Sequence, residues 1–171
     1  MATHGIRYGE GLQTVLLEPI TTIADGESEW IELENYHWLT FFVYVGTITA
    51  STDTINIYVK STTSATSGTT HANDYALPFD YRQSLALGSD STAWGSITSV
   101  TTATGYATLS LSNSMIQIEL NPDIIYAHDS DAKYVYLDFD ATITSSDTIY
   151  LGAWGVLEPR YPQNVHLSSS A

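Results

Sequence analysis

The residues best suited to chemistry in this sequence are acidic ones near a single short segment. His128-Asp129-Ser130-Asp131 is rich in oxygen donors, and Asp138 and Asp140 lie on one face of the strand that we predict to follow. Calcium binds several carboxylate and carbonyl oxygens, so a surface calcium site at this segment is one interpretation. The segment lacks the glycine and the closing glutamate of an EF-hand loop. We therefore favour a solvated acidic turn and predict no metal ligand here.

Catalytic patterns are largely missing from the sequence. A serine hydrolase needs a nucleophile on a tight elbow with a histidine base, and no G-x-S-x-G motif occurs. We interpret the five histidines as surface residues: His4, His37, His71, His128 and His166. Paired carboxylates for glycoside hydrolysis would come from Glu27, Glu29, Glu32, Glu34 and Glu119. Because Glu32 and Glu34 alternate with apolar residues, they indicate a water-facing sheet surface. We predict no enzyme activity, no catalytic residues and no cofactor.

The elements that must position these residues are strands. Asp53 to Lys60 alternates apolar and polar residues, and the run from Trp38 to Val45 is rich in β-branched and aromatic side chains. Further strands are predicted for Trp30–Glu34, Trp94–Val100, Tyr106–Leu111, Met115–Leu120, Lys133–Ile143 and Thr148–Leu157. Short strands separated by Gly, Asn, Asp and Ser clusters are typical of sandwiches and barrels. The predicted fold is an all-β, antiparallel β-sandwich that is jelly-roll-like.

An internal repeat supports a two-part organisation. The segment from Thr47 to Ile55 reappears, one residue shorter, from Thr142 to Ile149, and Leu39-Thr40-Phe41 is echoed by Leu137-Asp138-Phe139. Each copy is typical of a strand, a tight polar turn and a second strand. We therefore predict two similar β-hairpins. Either duplication or convergent turn chemistry accounts for the match.

Composition narrows the classes of partner. The formal net charge is −14, with only five lysine and arginine residues. Nucleic-acid binding needs clustered cations, and an anionic membrane surface repels a chain of this sign. We predict neither partner. We also predict one domain at residues 20–157, between an extended N-terminal arm (1–19) and an extended C-terminal arm (158–171).

The aromatic residues are compatible with a binding surface. The chain has twelve tyrosines and four tryptophans, and such rings are common at interfaces and at sugar-binding surfaces. We assign Trp38, Phe41 and Trp154 to the core because they lie within strand runs. Near loops, and therefore better candidates for a contact surface, are Tyr75, Tyr81, Trp94 and Tyr106. Coplanar Trp94, Tyr106 and Tyr81 would make a carbohydrate-binding module.

Three stretches together resemble small virion proteins of tailed bacteriophages that are found with head genes. They are Trp38 to Thr49 (WLTFFVYVGTIT), Ala76 to Arg82 (ALPFDYR) and Val156 to Pro162 (VLEPRYP). These are hydrophobic-pattern motifs, and the pattern spans about Trp30 to Gln163. The resemblance implies a capsid decoration protein, often a homotrimer, that binds the outer surface of the major capsid protein lattice. It also implies a location in the virion after assembly in the host cytoplasm.

The resemblance carries no catalytic residues to transfer, so contact residues are predicted from the arms. Each arm places an isolated cation beside an aromatic ring in otherwise polar chain, as interface anchors do. The predicted interface residues are Arg7, Tyr8, Arg160 and Tyr161. Two alternatives stay open: a carbohydrate-binding β-sandwich module, and another head or tail structural component.

Overall fold

The computed structural model describes residues 13–22, 26–48, 54–64, 74–84, 94–100, 106–109, 113–142 and 149–160. Most of these residues are in β-strands of two antiparallel sheets, which confirms the all-β prediction. The strands are β1 (Gln13–Thr22), β2 (Gly26–Glu27), β3 (Ile31–Glu32), β4 (Tyr36–Val45), β5 (Thr54–Thr62), β6 (Tyr75–Ala76), β7 (Phe79–Gln83), β8 (Thr98–Val100), β9 (Tyr106–Leu109), β10 (Ser114–Leu120), β11 (Tyr134–Thr142) and β12 (Tyr150–Pro159).

The two sheets differ in regularity. The first sheet has the order β1-β12-β4-β10-β7-β8, with long central strands. The second sheet is centred on the long pair β11 and β5. Short strands complete both of its sides: β2 and β3 pair with β11, and β6 and β9 pair with β5. The first sheet therefore offers the broader continuous face.

One cluster of buried apolar side chains draws on both sheets. Period-two alternation decides which residues enter it, because successive side chains of a strand point to opposite faces. In β5, Ile55, Ile57 and Val59 are fully buried, as their spacing predicts. In β4, Phe41 and Val43 are buried while Phe42 between them is partly exposed. We call the side of each sheet that faces this cluster its inner face, and the opposite side its outer face.

The two predicted hairpins are wrong. Strands β4 and β5 belong to different sheets, and so do β11 and β12, so each repeated segment joins the two sheets. The strands pair between the copies instead: β4 with β12, and β5 with β11. Residues 49–53 and 143–148 lie outside the described residues. The two copies of the repeat are structurally equivalent because each copy supplies one strand to each sheet.

The predicted N-terminal boundary lies inside a strand. Strand β1 begins at Gln13, opposite Leu157 of β12, and its Leu17 is buried in the core. The predicted arm of residues 1–19 is therefore too long, since burial of Leu17 ties this segment to the sheet. At the other end, Glu158 and Pro159 still belong to β12. The remaining arm residues, 1–12 and 161–171, lie outside the described residues.

Two helical segments were not predicted. A 3-10 helix, Leu33–Asn35, replaces the second half of the strand expected at Trp30–Glu34, although Ile31 and Leu33 are buried as the alternation predicts. Helix α1, Pro122–His128, is capped by Asn121, whose Oδ1 accepts a hydrogen bond of 2.8 Å from the Asp123 amide. Asparagine at this position followed by proline is a favourable helix start. No helix in the described ranges is long and apolar enough to cross a bilayer.

Candidate functional site

A row of side chains crosses five strands on the outer face of the first sheet. In register, Leu16 of β1 lies opposite Trp154 of β12, and Trp154 lies opposite Phe42 of β4. Phe42 lies opposite Gln117 of β10, which in turn lies opposite Arg82 of β7. The chain neighbours Leu17, Phe41, Ala153 and Ile116 are buried in the core. The row therefore points away from the core, because the strands alternate.

The rings of this row pack on one another. Phe42 and Trp154 are stacked, with ring centroids 5.7 Å apart and planes 16° apart. Trp94 joins from outside the row, and its ring is tilted by 58° at 6.5 Å from Phe42. An isolated β-bridge with Ser84 and a 2.7 Å hydrogen bond from the Gly95 amide to the Gln83 carbonyl hold Trp94 beside β7. The outer face thus carries a partly exposed cluster of three aromatic rings.

Arg82 is held in place at the edge of these rings. Its guanidinium carbon lies 5.1 Å from the centroid of the Trp94 ring, a cation–π distance. Its Nε donates a 2.9 Å hydrogen bond to Oε1 of Gln117, and Nε2 of Gln117 donates a 2.7 Å bond to Oε1 of Glu119. Gln117 is buried although it points outward, since it is only 7% exposed. The cation is therefore oriented before any partner arrives.

More apolar surface surrounds the rings. Leu16 is 63% exposed at one end of the row, and Trp38, on the same side of β4 as Phe42, is 38% exposed. Tyr44, also on that side, is partly exposed. The outer face of an antiparallel sheet is ordinarily polar, and contiguous exposed apolar surface marks interaction sites. We call the surface formed by Leu16, Trp38, Phe42, Arg82, Trp94 and Trp154 the aromatic face.

The chemistry available on the aromatic face is non-covalent contact. Tryptophan and arginine are the residue types enriched where protein interfaces bind most strongly. A planar guanidinium fixed over an indole ring can donate to a partner carboxylate or carbonyl while the rings exclude water. The face joins side chains from four strands and from Trp94, so it is broad, which suits a protein surface.

The structure agrees with some of the predicted positions of the aromatic residues and contradicts others. Phe41 is in the core, as predicted. Trp38 and Trp154, assigned to the core, are instead on the outer face, because they alternate with buried Leu39 and Ala153. Trp94 lies on the aromatic face and is partly exposed, and its role in a contact surface stays a prediction.

The predicted carbohydrate set is not assembled as one surface. Tyr81 packs against the core beside Phe79, with ring centroids 6.2 Å apart, so it points opposite to Arg82. Tyr106 belongs to β9 of the second sheet, and its side chain lies outside the described part. The prediction of a coplanar carbohydrate-binding set of Trp94, Tyr106 and Tyr81 is therefore wrong. Tyr75, the remaining surface candidate, is 42% exposed on β6 of the second sheet.

The predicted interface anchors mostly lie outside the described residues: Arg7, Tyr8 and Tyr161. Arg160 is described, and it binds its own domain. Its Nε donates a 2.8 Å hydrogen bond to the Tyr36 carbonyl, and its amide donates one of 2.8 Å to the Asn35 carbonyl. These bonds tie the end of β12 to the start of β4. An interface role for the four anchors stays a prediction.

Two of the acidic residues considered as calcium ligands make structural contacts. Asp129 accepts a 2.6 Å hydrogen bond from the Ser61 hydroxyl, which fastens the end of α1 to β5. Asp138 forms a 2.6 Å ion pair with Lys60 on the outer face of the second sheet. Asp140 and Asp131 are exposed. Within the described ranges, no three His, Asp or Glu side chains are placed to hold a metal ion.

The other titratable candidates lie apart from the rings. Glu32 and Glu34 are exposed, as their alternation predicts, and so are His37 and His128. His128 closes α1 rather than lying in a turn. Glu119 is the one glutamate among the candidates that reaches the aromatic face, through its bond to Gln117. The sequence did not single out Arg82, Phe42 or Gln117.

No protein-family model, curated protein or solved structure matches the chain. The resemblance to phage virion proteins therefore stays a prediction. Two of its three stretches fall on neighbouring strands, because Trp38 to Val45 lies in β4 and Val156 to Pro159 in β12. The geometry of the aromatic face is the observation that bears most directly on function.

Proposed function

We propose that this protein is a virion structural protein that decorates and stabilises a tailed-phage capsid, with the aromatic face as its contact surface. The observation that carries the proposal is the outward row of Leu16, Trp154, Phe42 and Arg82 across the first sheet. Rigid rings and a preset arginine bind another protein with little loss of side-chain freedom. The partner is the outer surface of the major capsid protein lattice. The site of action is the capsid surface, reached after assembly in the host cytoplasm.

The proposed fold is a jelly-roll-like β-sandwich. The shared core cluster supports face-to-face packing of the two sheets. The repeated changes of sheet along the chain, among them those before β5 and before β12, are the kind of connection that such folds use. A rigid sandwich with one aromatic outer face is an adhesive module, since it presents contact residues from several strands in fixed register.

We also propose that the protein forms a homotrimer, that it is not an enzyme, and that it binds neither nucleic acid nor membranes. The net charge of −14 opposes binding to nucleic acid and to anionic lipid. The trimer contact lies on another surface, because the capsid contact buries the rings of the aromatic face. The mass of the protein in solution tests this arrangement. If a charge placed on the face turns a trimer into a monomer, the face joins copies of this chain.

Binding to purified phage capsids that lack a decoration protein tests the main proposal. Leu16→Glu places a charge on the face, and Leu16 is exposed enough for the change to leave the core intact. Tyr75→Glu is the matched control, since Tyr75 is exposed on the second sheet. We expect Leu16→Glu to weaken co-sedimentation with capsids at least tenfold and Tyr75→Glu to leave it unchanged. Equal binding by both variants and the unaltered chain would refute the assignment of the face.

The rings also favour a second candidate, a carbohydrate-binding module. Exposed tryptophan is a frequent platform for sugar rings, and Trp38 and Trp94 are both accessible on the aromatic face. Binding on a glycan array that Trp94→Ala abolishes, together with no affinity for capsids, would favour this candidate over decoration. A monomer with affinity for neither would contradict both.

A further inference from the structure

Arg82 is the cation of the aromatic face, and most of its hydrogen-bond donors have no acceptor within the described part of the chain. A guanidinium carries N–H donors on Nε and on both terminal nitrogens. The Nε donor is used in the 2.9 Å bond to Gln117. The ion pairs among the described residues involve Lys60 and Arg160 instead. The terminal nitrogens of Arg82 can therefore donate to an acceptor that comes from another molecule.

Two carboxylates lie near Arg82 without pairing with it. The Gln117 amide nitrogen donates a 2.7 Å bond to Glu119, so the amide oxygen is the atom that accepts from Arg82. Gln117 thus places a neutral amide between the cation and Glu119. Asp80, two residues before Arg82 on β7, lies opposite Glu119 in register. Within the described residues neither carboxylate forms an ion pair with Arg82, so the guanidinium is oriented but not neutralised.

The surroundings of Arg82 decide which acceptor a partner must bring. Its guanidinium carbon lies 5.1 Å from the centroid of the Trp94 ring, and that ring lies 6.5 Å from the ring of Phe42. A partner that covers these rings also removes water from the guanidinium. A charge covered without a counter-charge strongly opposes binding. A carboxylate removes this penalty, because it supplies the opposite charge and accepts two parallel hydrogen bonds from the planar guanidinium.

We propose that Arg82 determines the specificity of the aromatic face by binding an aspartate or glutamate side chain of the partner protein. This inference rests on the proposed use of the aromatic face as a contact surface. Apolar side chains of the partner pack on Phe42, Trp94 and Trp154, and its carboxylate accepts from the terminal nitrogens of Arg82. Because the chain has a net charge of −14, a strongly acidic partner surface would be repelled. The partner therefore presents an isolated carboxylate among apolar residues.

Titration of the full chain with two peptides tests carboxylate recognition without a capsid. The probes are acetyl-Trp-Glu-Leu-amide and its neutral counterpart acetyl-Trp-Gln-Leu-amide, followed by the indole N–H resonance of Trp94. We expect the glutamate peptide to shift this resonance saturably and the glutamine peptide to bind about tenfold more weakly, because it lacks the charged acceptor. Arg82→Gln should weaken the glutamate peptide to the same degree. Lys133→Gln is the matched control, since it removes the same charge from an exposed residue beside β11 of the second sheet and should leave binding unchanged.

Amidated capsids extend the test to the proposed partner. Coupling of glycinamide with a carbodiimide neutralises the exposed carboxylates of purified capsids that lack a decoration protein. We expect the unaltered chain and Lys133→Gln to bind amidated capsids about tenfold more weakly than untreated ones, through loss of the charged acceptor. Arg82→Gln should bind both kinds of capsid equally. Amidation also lowers the repulsion between the capsid and this acidic chain, which acts in the opposite direction, so a loss of binding reports the contact with Arg82.

Three peptide results would overturn the proposal: equal binding of both peptides, no shift at millimolar glutamate peptide, or equal loss in the Lys133→Gln variant. Binding of a uronic-acid oligosaccharide that depends on Arg82, in place of the glutamate peptide, would overturn the protein partner. The thermal midpoint of Arg82→Gln checks its folding. If that variant does not fold, Arg82→Lys must weaken the glutamate peptide for the proposal to stand, because lysine lacks the planar fork.

The two experiments separate this inference from the proposed function. Recognition of the glutamate peptide by a chain that does not bind capsids would contradict capsid decoration and support the assignment of Arg82. Capsid binding that neither amidation nor Arg82→Gln changes would overturn the assignment of Arg82 and leave capsid decoration standing.

Discussion

Phe42 and Trp154 stack on the outer face of the first sheet, with ring centroids 5.7 Å apart and planes tilted by only 16°. Each is one residue away from a fully buried side chain, Phe41 and Ala153 respectively. Two large rings therefore lie on the side of the sheet that water reaches, although β4 buries the large ring of Phe41 on the other side. The pairing across β4 and β12 brings them together, and their packing leaves part of each ring available to a partner.

Variants of the adjacent residues Phe41 and Phe42 compare the contributions of core packing and surface packing to stability. Phe41→Ala removes a fully buried ring and should lower the free energy of unfolding by about 3–5 kcal/mol. Phe42→Ala removes a partly exposed ring and should cost less than about 2 kcal/mol, chiefly through its ring contacts. Urea unfolding of both variants measures the difference. Equal costs would contradict the outward placement of Phe42.

The hydrogen bond between Arg82 and Gln117 should be measurable as a coupling energy. Loss of Arg82 leaves the largely buried Gln117 side chain without this donor. In a double-mutant cycle with Arg82→Ala and Gln117→Ala, we expect the two costs to be non-additive by about 1 kcal/mol. Chemical denaturation of the two single variants and the double variant gives the coupling. Strict additivity would show that the two side chains do not interact.

Gly46 should not tolerate a side chain. A Cβ at Gly46 would lie 3.0 Å from the Tyr150 carbonyl oxygen and 3.1 Å from the Tyr150 Cβ, next to the bond from the Gly46 amide to that carbonyl. Gly46→Ala should therefore cost about 1–3 kcal/mol through local overpacking. Gly26→Ala is the matched control, because nothing lies within 4 Å of a Cβ there, and it should change stability by less than about 0.5 kcal/mol. Thermal unfolding of the two variants tests the contrast.

Alkaline pH should destabilise the protein through Tyr136. Burial, and secondarily the nearby Asp74 carboxylate, raises the pKa of the Tyr136 phenol above its ordinary value of 10.0. Burial also raises the pKa of Tyr36, with a smaller contribution from Glu32. The folded chain keeps these phenols neutral at a pH where the unfolded chain ionises them. Their contribution is therefore complete below pH 10 and is lost above it, by up to about 1.4 kcal/mol per pH unit for each group.

Denaturant unfolding between pH 8 and pH 12 measures this loss. Tyr136→Phe should flatten the decline above pH 10, because phenylalanine does not ionise in either state. The variant also loses the interaction of the phenol with Asp74, so the comparison uses the slopes and not the absolute stabilities. Identical slopes for the variant and the unaltered chain would contradict a raised pKa at Tyr136.

Local alternation predicted strands well where one face is buried. Ile55, Ile57 and Val59 share the inner face of β5, and Met115 to Leu120 lies within β10. Prediction failed where a segment depends on distant partners. The sequence predicts an arm for most of β1 because the residues before Pro19 have no strong pattern of their own. The pairing of β1 with β12 spans almost the whole chain.

The candidate site was only partly predictable. The spacing of Trp38, Phe42 and Tyr44 places them on one face of β4, opposite Leu39 and Phe41. Both faces of this strand carry large apolar side chains, so hydropathy does not indicate which one enters the core. Burial of Phe41 and exposure of Trp38 follow from the side of β4 that contributes to the core cluster, which both sheets share.

The sequence alone determined the all-β class, the period-two faces of the long strands and the acidic charge, since each depends on residue type and local spacing. Tertiary structure decided how the repeat is used. The two repeated segments cross between sheets because β4 pairs with β12 and β5 with β11, and local turn chemistry does not encode those long-range pairings. It also assembled Arg82, Phe42, Trp94 and Trp154, which are far apart in sequence, into one face. Only the register of neighbouring strands brings such residues within contact distance.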